Sequence, residues 1–277
     1  MLQGFIPPDR YFAYLSWTEI RDLPDKANVV LVQPLGAIEQ HGPHLPLAVD
    51  SAIAQGILGQ ALAQLDPAIP AYALPTQMIG KSNEHWHFPG TLSLSAATLG
   101  AVLTETAESL YRAGFRKLVF ANAHGGQPQV LEIVARDLHQ RYGDLWIFPF
   151  FVWNVPHSVE ELLSPRELKE GIHGGDAETS LLLSLLPDTV KMEAAIAEYP
   201  DNRLQAGLIS LEGKLPVSWV TRDISHSGVV GDATVATRDK GDRILADLAQ
   251  GWVQALTAVH RFHPSSPPSP DCSKSLD

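Results

Sequence analysis

The chain has 277 residues, of which 45% are hydrophobic and 18% charged, a balance that is ordinary for a globular protein and excludes global disorder. Its 20 basic and 31 acidic residues give a formal net charge of −11, which argues against a nucleic-acid partner because such proteins present a basic face. No uninterrupted run of about 18 apolar residues occurs, so we expect no transmembrane helix and no membrane partner.

Short apolar runs alternate with amphipathic stretches along the chain. The first run, 28–34, reads NVVLVQP and predicts a strand that is buried on both faces. Further strands are predicted at 71–78, 117–121 and 145–153. Helices are predicted at 50–64, at 95–112 with Gly114 as C-cap, and at 129–142, 176–186 and 237–260. This alternation is typical of a three-layer α/β/α fold with a mainly parallel central sheet, whose active site lies beyond the C-terminal ends of the strands.

No internal repeat or clear linker divides the chain, so we predict a single domain over residues 1–262. Residues 263–277 are rich in proline and serine and predict a disordered tail. The tail holds the only cysteine, Cys272, which leaves no intramolecular disulfide and no thiolate metal site. The first residues, MLQGFIPPDR, lack the apolar core of a signal peptide, and we therefore expect a cytoplasmic protein.

The segment 35–50, LGAIEQHGPHLPLAVD, concentrates metal-ligand side chains directly after the first predicted strand. Glu39 and His41 are two residues apart, so in an extended chain they point into the same pocket. Asp50 begins the next predicted helix, where its carboxylate can join them or cap the helix. His44 lies between two prolines and orders the loop or contacts the substrate. The alternative interpretation is a capping aspartate beside a solvated loop.

Two glycine-rich turns carry further candidates. Residues 122–126, NAHGG, place His124 after a strand, where a metal ligand or an acid is expected, and free backbone N–H groups for an oxyanion. Residues 173–180, HGGDAETS, place Glu178 on an apolar helix, where a glutamate is costly to bury unless it is paired or metal-bound. The alternatives are a tight turn with an exposed histidine, and pairing of the acidic residues with the helix dipole.

Residues 80–91, GKSNEHWHFPGT, predict a substrate-facing loop, because ring side chains cluster before a Pro-Gly turn. The alternative is a surface loop with an aromatic anchor. Other hydrolytic schemes lack their motifs, since the chain has no GxSxG nucleophile elbow, no phosphate-binding GxxxxGK[ST] loop and no HExxH.

The motifs GAIEQHGPHLPLAVD, EHWHFPGT, NAHGG, HGGDAETS and GVVGDATVAT occur in the order in which the creatininase (creatinine amidohydrolase) family carries them. The chain resembles this family over residues 16–260. The resemblance implies a three-layer α/β fold and a two-metal hydrolase that cleaves non-peptide amide bonds and forms an oligomer, often a hexamer. Members hydrolyse creatinine, a formamide in pyrimidine-type cofactor synthesis, or a peptide in redox-cofactor maturation.

Site residues follow from the resemblance position by position. The implied metal ligands are Glu39, His41, Asp50 (which bridges the two ions) and His124. The implied catalytic residues are His173, which passes a proton, and Glu178 of the ETS motif. The predicted substrate contacts are His44, Ser82, His85, Gly125 and Gly126.

One departure from the family pattern concerns the ligand set. True creatininases carry Tyr-Glu after the ligand histidine, and that glutamate binds metal, whereas this chain has Gly125 and Gly126. We therefore expect Glu178 to supply the fifth ligand. The departure predicts an NGHGG-type member rather than a true creatininase.

The sequence thus predicts a metal-dependent amidohydrolase that cleaves a cyclic or formyl C–N bond of a small molecule with metal-activated water. Ligation by oxygen and nitrogen alone suits two Zn²⁺, Mn²⁺ or Fe²⁺ ions, and His173 would donate a proton to the leaving nitrogen. Three alternatives stay open. The first is creatinine amidohydrolase proper or a cofactor-maturation peptidase. The second is a catalytically degenerate, metal-stabilised protein that binds a small molecule or has a structural role. The third is a sugar or nucleotide binder that uses the glycine-rich turns.

Overall fold

Four parallel strands form the central sheet of the computed structural model, which describes residues 2–201, 204 and 207–264. These strands are β1 Val30–Leu35, β2 Ala71–Ala73, β3 Lys117–Asn122 and β4 Trp146–Phe151, in the spatial order β2-β1-β3-β4. A second, antiparallel pair consists of β5 Ala197–Glu198 and β6 Gly231–Asp232. The helices are α1 Trp17–Asp22, α2 Val49–Gln64, α3 Ala96–Arg112, α4 Pro128–Tyr142, α5 Pro165–Glu170, α6 Asp176–Leu185, α7 Thr221–Ile224 and α8 Arg238–Arg261.

The two central strands, β1 and β3, are buried along their whole length, which explains why most of their residues are apolar. Side chains alternate between the two faces of the sheet. Val30 and Val32 point into one hydrophobic core, while Leu31 and Leu35 point into the other.

The two cores define three layers. Helices α2, α6 and α8 cover one face of the sheet, with the fully buried Trp252 of α8 among the packed side chains. Helices α3 and α4 cover the other face. The predicted three-layer α/β/α fold with a parallel central sheet is therefore confirmed. The carboxyl ends of β1, β3 and β4 meet at one edge, and the candidate ligands follow β1 and β3 there.

Several boundaries differ from the sequence prediction. Strand β2 ends at Ala73 rather than near residue 78, because Pro75 has no N–H with which to continue the ladder. Strand β4 is also shorter than predicted, spanning Trp146–Phe151 rather than 145–153. The predicted end of α3 is confirmed by Gly114, which has a φ of 103° and donates its N–H to the carbonyl of Tyr111.

Among the residues that the structure describes, no helix is long and apolar enough to cross a membrane. The single-domain assignment for residues 1–262 stays a prediction. Most of the predicted tail, 265–277 with Cys272, lies outside the described residues.

Candidate metal centre

Asp50 joins the two histidines of the site through a single carboxylate. Its Oδ1 lies 3.2 Å from Nε2 of His41, and its Oδ2 lies 3.3 Å from Nδ1 of His124. Asp50 is in the first turn of α2 but makes no capping hydrogen bond, so the alternative of a helix cap does not describe it. The carboxylate is buried and faces the strand ends instead of the helix amides.

The ligand candidates divide into two groups that share Asp50. In the first, which we name the His124 half-site, Oε2 of Glu39 lies 3.2 Å from Nδ1 of His124. In the second, the His41 half-site, Oε2 of Glu178 lies 3.9 Å from Nε2 of His41. The extended segment that follows β1 directs both Glu39 and His41 inward, as their two-residue spacing predicts.

Hydrogen bonds on the far side of each imidazole fix which nitrogen faces the site. Nδ1 of His41 donates to the carbonyl of Glu39 over 3.1 Å, so that Nε2 is the nitrogen that faces Asp50. Nε2 of His124 donates to the carbonyl of Lys81 over 2.9 Å, so that Nδ1 is the nitrogen that faces Glu39 and Asp50. Metal-binding histidines are usually held in this way, because the outer hydrogen bond sets the tautomer.

The buried polar atoms of the centre fit a divalent cation. Nε2 of His41 and Oδ2 of Asp50 are fully buried, and neither has a hydrogen-bond partner among the described residues. Unsatisfied buried polar atoms are costly unless a further group binds them. Groups of three close donors occur on both sides of Asp50. Because all the donors are carboxylate oxygens and imidazole nitrogens, they suit Zn²⁺, Mn²⁺ or Fe²⁺.

The carboxylates strongly perturb the titration of the centre. Burial disfavours a charged His41, but the charges of Asp50, Glu178 and Glu39 outweigh it and raise the pKa of His41 to about 9. Burial raises the pKa of Glu178 to about 7. The charge of His41 acts to lower this pKa, and the negative charge of Asp50 acts to raise it further. Burial opposes ionisation of Asp50, but His41 and His124 hold its pKa below the ordinary range. Protons therefore compensate this concentration of negative charge wherever no cation does.

His173 lies beside the two half-sites, and one of its ring nitrogens already makes a hydrogen bond to the backbone. Its Nε2 donates to the carbonyl of Gln40 over 2.6 Å, and its Nδ1 lies 3.8 Å from Oε1 of Glu39. The ring packs between the imidazoles of His41 and His85, with centroid distances of 4.0 and 4.3 Å. Burial, followed by the charges of these two histidines, holds the pKa of His173 well below its usual value. The free position of a neutral ring is thus Nδ1, facing the centre.

The predicted substrate contacts occupy two different positions. His85, Gly125 and Gly126 line the cavity above the centre. Ser82 and His44 are buried and are not among the residues that line the cavity, and their role as substrate contacts stays a prediction. Ser82 donates its hydroxyl hydrogen bond to Oε2 of Glu39, and Nε2 of His44 lies 2.8 Å from the hydroxyl of Thr179. These contacts tie Ser82 to Glu39 and His44 to helix α6.

Glu84 was not singled out by sequence reasoning. Its Oε1 lies 3.2 Å from Nε2 of His124, and its Oε2 lies 3.2 Å from Nζ of Lys81. Burial opposes its ionisation, but the hydrogen bond from His124 lowers the pKa of Glu84 to about 2. The sequence feature that could have indicated Glu84 is its position in the EHWHFPGT segment, where it directly precedes the predicted substrate contact His85.

A cavity of about 650 Å³ opens above the centre, a volume typical of sites for drug-sized ligands. Its floor contains Glu39, Asp50, His124 and Glu178. Its apolar walls come from the end of β4 and from two later segments, and include Phe151, Trp153, Leu163, Leu168, Val217 and Trp219. The indole N–H of Trp219 donates to the carbonyl of Leu211, which fixes that wall.

The fold and the site define a class of layered α/β proteins that gather buried carboxylate and imidazole side chains at the strand ends. The family model for creatininase (creatinine amidohydrolase) matches residues 13–256, and the chain belongs to this family.

Similar proteins differ in what they act on. The "mycofactocin precursor peptide peptidase" of Mycolicibacterium smegmatis is 34% identical over 87% of this chain and 90% of its own length. The "creatinine amidohydrolase" of Pseudomonas putida is 29% identical over 87% and 94%, respectively. A crystal structure of creatininase has a TM-score of 0.75 at 28% identity and covers 92% of this chain and 99% of that one.

Two further solved creatininase structures bear on metal content. One, described as "Creatininase Mn", has a TM-score of 0.73 at 27% identity over 91% of this chain and 99% of that one. The other, a mutant creatininase of "Zn-Zn type", has a TM-score of 0.69 at 27% identity over 91% and 98%.

Proposed function

We propose that this creatininase-family hydrolase binds two divalent ions and uses them to hydrolyse a C–N amide bond of a small molecule. The observation that carries the proposal is the Asp50 carboxylate, whose two oxygens face the imidazoles of His41 and His124 at 3.2 and 3.3 Å. A carboxylate with each oxygen beside a different histidine could help to hold both ions of a two-metal site, which would supply Lewis-acid chemistry. Glu39 would complete the His124 half-site, and Glu178 would complete the His41 half-site as the fifth ligand.

Bound ions of this kind would supply Lewis-acid polarisation of the scissile carbonyl and a more acidic water. The chain's own contribution to proton transfer would come from His173. Because its Nε2–H is held by the Gln40 carbonyl, the ring takes up and releases a proton only at Nδ1, which faces the centre. It can therefore accept a proton from the attacking water and return it to the leaving nitrogen.

The cavity walls indicate which substrates fit. Lys81 is the one lysine or arginine among the described residues of the lining, and its Nζ lies 3.2 Å from Glu84. Glu160 and Glu212 also line the cavity, together with the apolar wall. We infer that the part of the substrate that lies against these walls, away from the ions, is apolar and neutral or cationic, because an anionic group there would find no free cationic side chain.

A second candidate is cleavage of a peptide. The volume of about 650 Å³ favours it, since one small cyclic amide would leave much of that space empty. The similarity to peptidases adds support. Steady-state hydrolysis of two matched panels separates the candidates: cyclic and formyl amides in one, and short apolar peptides in the other. A kcat/KM preference for peptides would replace the first candidate with the second.

Asp50→Asn tests the whole scheme. The variant is expected to lose both ions and hydrolysis, whereas Asp66→Asn, in an exposed loop after α2, is the matched control. Metal content by elemental analysis and turnover on both panels are the measurements. Full metal content and turnover in Asp50→Asn would disprove the scheme. Two bound ions in the native protein without hydrolysis of any amide would favour the catalytically degenerate alternative.

Assembly and location are also proposals. We propose a homo-oligomer, with a hexamer as the first expectation from the family resemblance, and keep the prediction of a cytoplasmic protein. Light scattering on the purified chain measures the assembly directly, and a monomer at micromolar concentration would contradict it.

A further inference from the structure

Glu167, on α5, is a buried carboxylate that joins three separate segments next to the metal centre. Its Oε1 accepts the N–H of Asp176 at 2.8 Å. Its Oε2 accepts the N–H of Asp232 at 3.0 Å and the hydroxyl of Tyr199 at 2.8 Å. The residue is 7% exposed and lines the cavity, yet it has no part in the hydrolytic scheme above.

The segments joined by Glu167 hold the two residues with proposed catalytic roles. Asp176 begins α6 and lies between His173 and Glu178 in the chain. Two residues before Asp232, Val230 pairs with His173 in an antiparallel bridge, with N–H···O distances of 2.7 and 3.1 Å. Glu167 therefore fastens the turn that contains His173 to α6 at one end and to β6 at the other.

A side chain with two acceptor oxygens suits this arrangement, because all three partners donate. Burial and the bond to Glu167 raise the pKa of the Tyr199 hydroxyl, which keeps it a donor. A glutamine would have one acceptor oxygen and would turn an NH₂ group toward one of the donors. The surrounding chain leaves room for the carboxylate by means of glycines. A β-carbon at Gly175 would overlap Oε1, and one at Gly231 would press against the same carboxylate.

We propose that Glu167 is a positioning residue that aligns His173 and Glu178 and thereby sets the affinity of the His41 half-site. The part of this proposal that concerns metal affinity rests on the proposed function. The part that concerns the order of the turn does not, because it can be measured in the metal-free chain.

The test is Glu167→Gln, with Glu170→Gln as a matched control that makes the same change on the same helix. Glu170 pairs with Arg166 over 3.0 Å and is not part of the cavity lining. Titration with Zn²⁺ or Mn²⁺ against a competing chelator should show one ion held as in the native chain and the second weakened about 10–100-fold, the usual cost of losing an outer partner. Hydrogen exchange of residues 172–182 in the metal-free protein should become faster. Glu170→Gln should match the native chain in both measurements.

Gly175→Ala displaces the same carboxylate without removing it, and its φ of −85° accepts alanine. Gly175→Ala should reproduce the weaker second-ion affinity and the faster hydrogen exchange expected of Glu167→Gln. If Glu167→Gln does not fold, Gly175→Ala alone tests the proposal. Unchanged exchange and unchanged second-ion affinity in either folded variant would overturn the proposal. So would loss of folding in both, which would assign Glu167 to the stability of the whole domain. A native chain that binds no divalent ion would reject the proposed function, while the exchange measurement would still judge the alignment of the turn.

Discussion

The carboxylate of Glu84 fills the space beside Gly126 in which the β-carbon of any other residue would lie. A β-carbon built there would overlap Oε1 of Glu84 and would meet Nε2 of His124 at 2.5 Å. The absence of a side chain at 126 therefore lets a carboxylate from a distant segment reach the outer nitrogen of His124, a proposed metal ligand. Such carboxylate–histidine pairs orient the ring and increase its basicity as a ligand.

Replacing Gly126 by alanine should displace the Glu84–His124 pair. We expect a loss of about 1–3 kcal/mol of stability, the usual cost of an extra carbon in a packed site, together with weaker binding of one ion. Gly125→Ala is the control for stability and metal content, since a β-carbon there has nothing within 4 Å. Thermal unfolding and elemental analysis make the comparison. Equal metal content in both variants would show that Glu84 is not needed to orient His124.

Glu178→Gln should reduce the number of bound ions from two to one. The remaining oxygen can still accept the N–H of Gly174, which Glu178 now does at 2.6 Å, so the turn is kept while the negative ligand is lost. The weakening of the second ion should exceed the roughly 10–100-fold cost of losing an outer partner. Glu193→Gln, at an exposed position, serves as control. Two tightly held ions in Glu178→Gln would mean that the fifth ligand lies elsewhere.

Metal binding should release protons and strengthen as the pH rises. Burial lowers the pKa of His41, but the charges of Asp50, Glu178 and Glu39 outweigh burial and raise this pKa to about 9. The ring is therefore protonated at pH 7 and must lose that proton before it can bind an ion. Because this folded-state pKa lies above the unfolded value of about 6.5, protonation stabilises the metal-free chain below about pH 6.5. That contribution is lost as the pH rises through about 9.

The rise in melting temperature on adding Mn²⁺ should consequently be larger at pH 8.5 than at pH 6.5. Thermal unfolding with metal and with chelator at both pH values measures it. Calorimetric titrations in buffers of different ionisation enthalpy count the released protons directly. A metal-induced stabilisation that shrinks at the higher pH would contradict the assignment of His41 as a ligand.

Lys240→Met should destabilise the contact between α6 and α8. Nζ of Lys240 lies 2.5 Å from Oδ2 of Asp176, which is 1% exposed and is otherwise bound by the hydroxyl of Ser180. Removing one member of a buried ion pair leaves an unpaired charge and costs about 3–5 kcal/mol. Lys169→Met, at an exposed site, should change stability little. Chemical denaturation of the metal-free chain measures both, and equal midpoints would refute the prediction.

Local patterns in the sequence predict those parts of the molecule whose cause is local. The mostly apolar composition of β1 and β3 follows from burial on both faces, and the amphipathic period predicts α3 and α4 to within about two residues. The two-residue spacing of Glu39 and His41 likewise predicts that they face one pocket, because side chains alternate in an extended chain.

Contacts between distant segments could not be predicted in this way. Glu84 reaches His124 from a loop forty residues earlier in the chain, and Glu167 reaches Asp232 across sixty-five residues. No periodicity or spacing connects such pairs. His44 shows the same limit: the motif predicts that it orders the loop or contacts the substrate, but nothing in the motif indicates its partner Thr179 on α6.

The sequence by itself determined the layered fold, the types of donor side chain and their position at the strand ends, because hydrophobic period and side-chain chemistry are properties of short segments. Only the tertiary structure decided how these donors are arranged around Asp50, which imidazole nitrogen of each histidine faces the site, and which carboxylate contacts the outer nitrogen of His124. Those features depend on distances between segments that meet only after folding, and a hydrogen bond discriminates over a few tenths of an ångström.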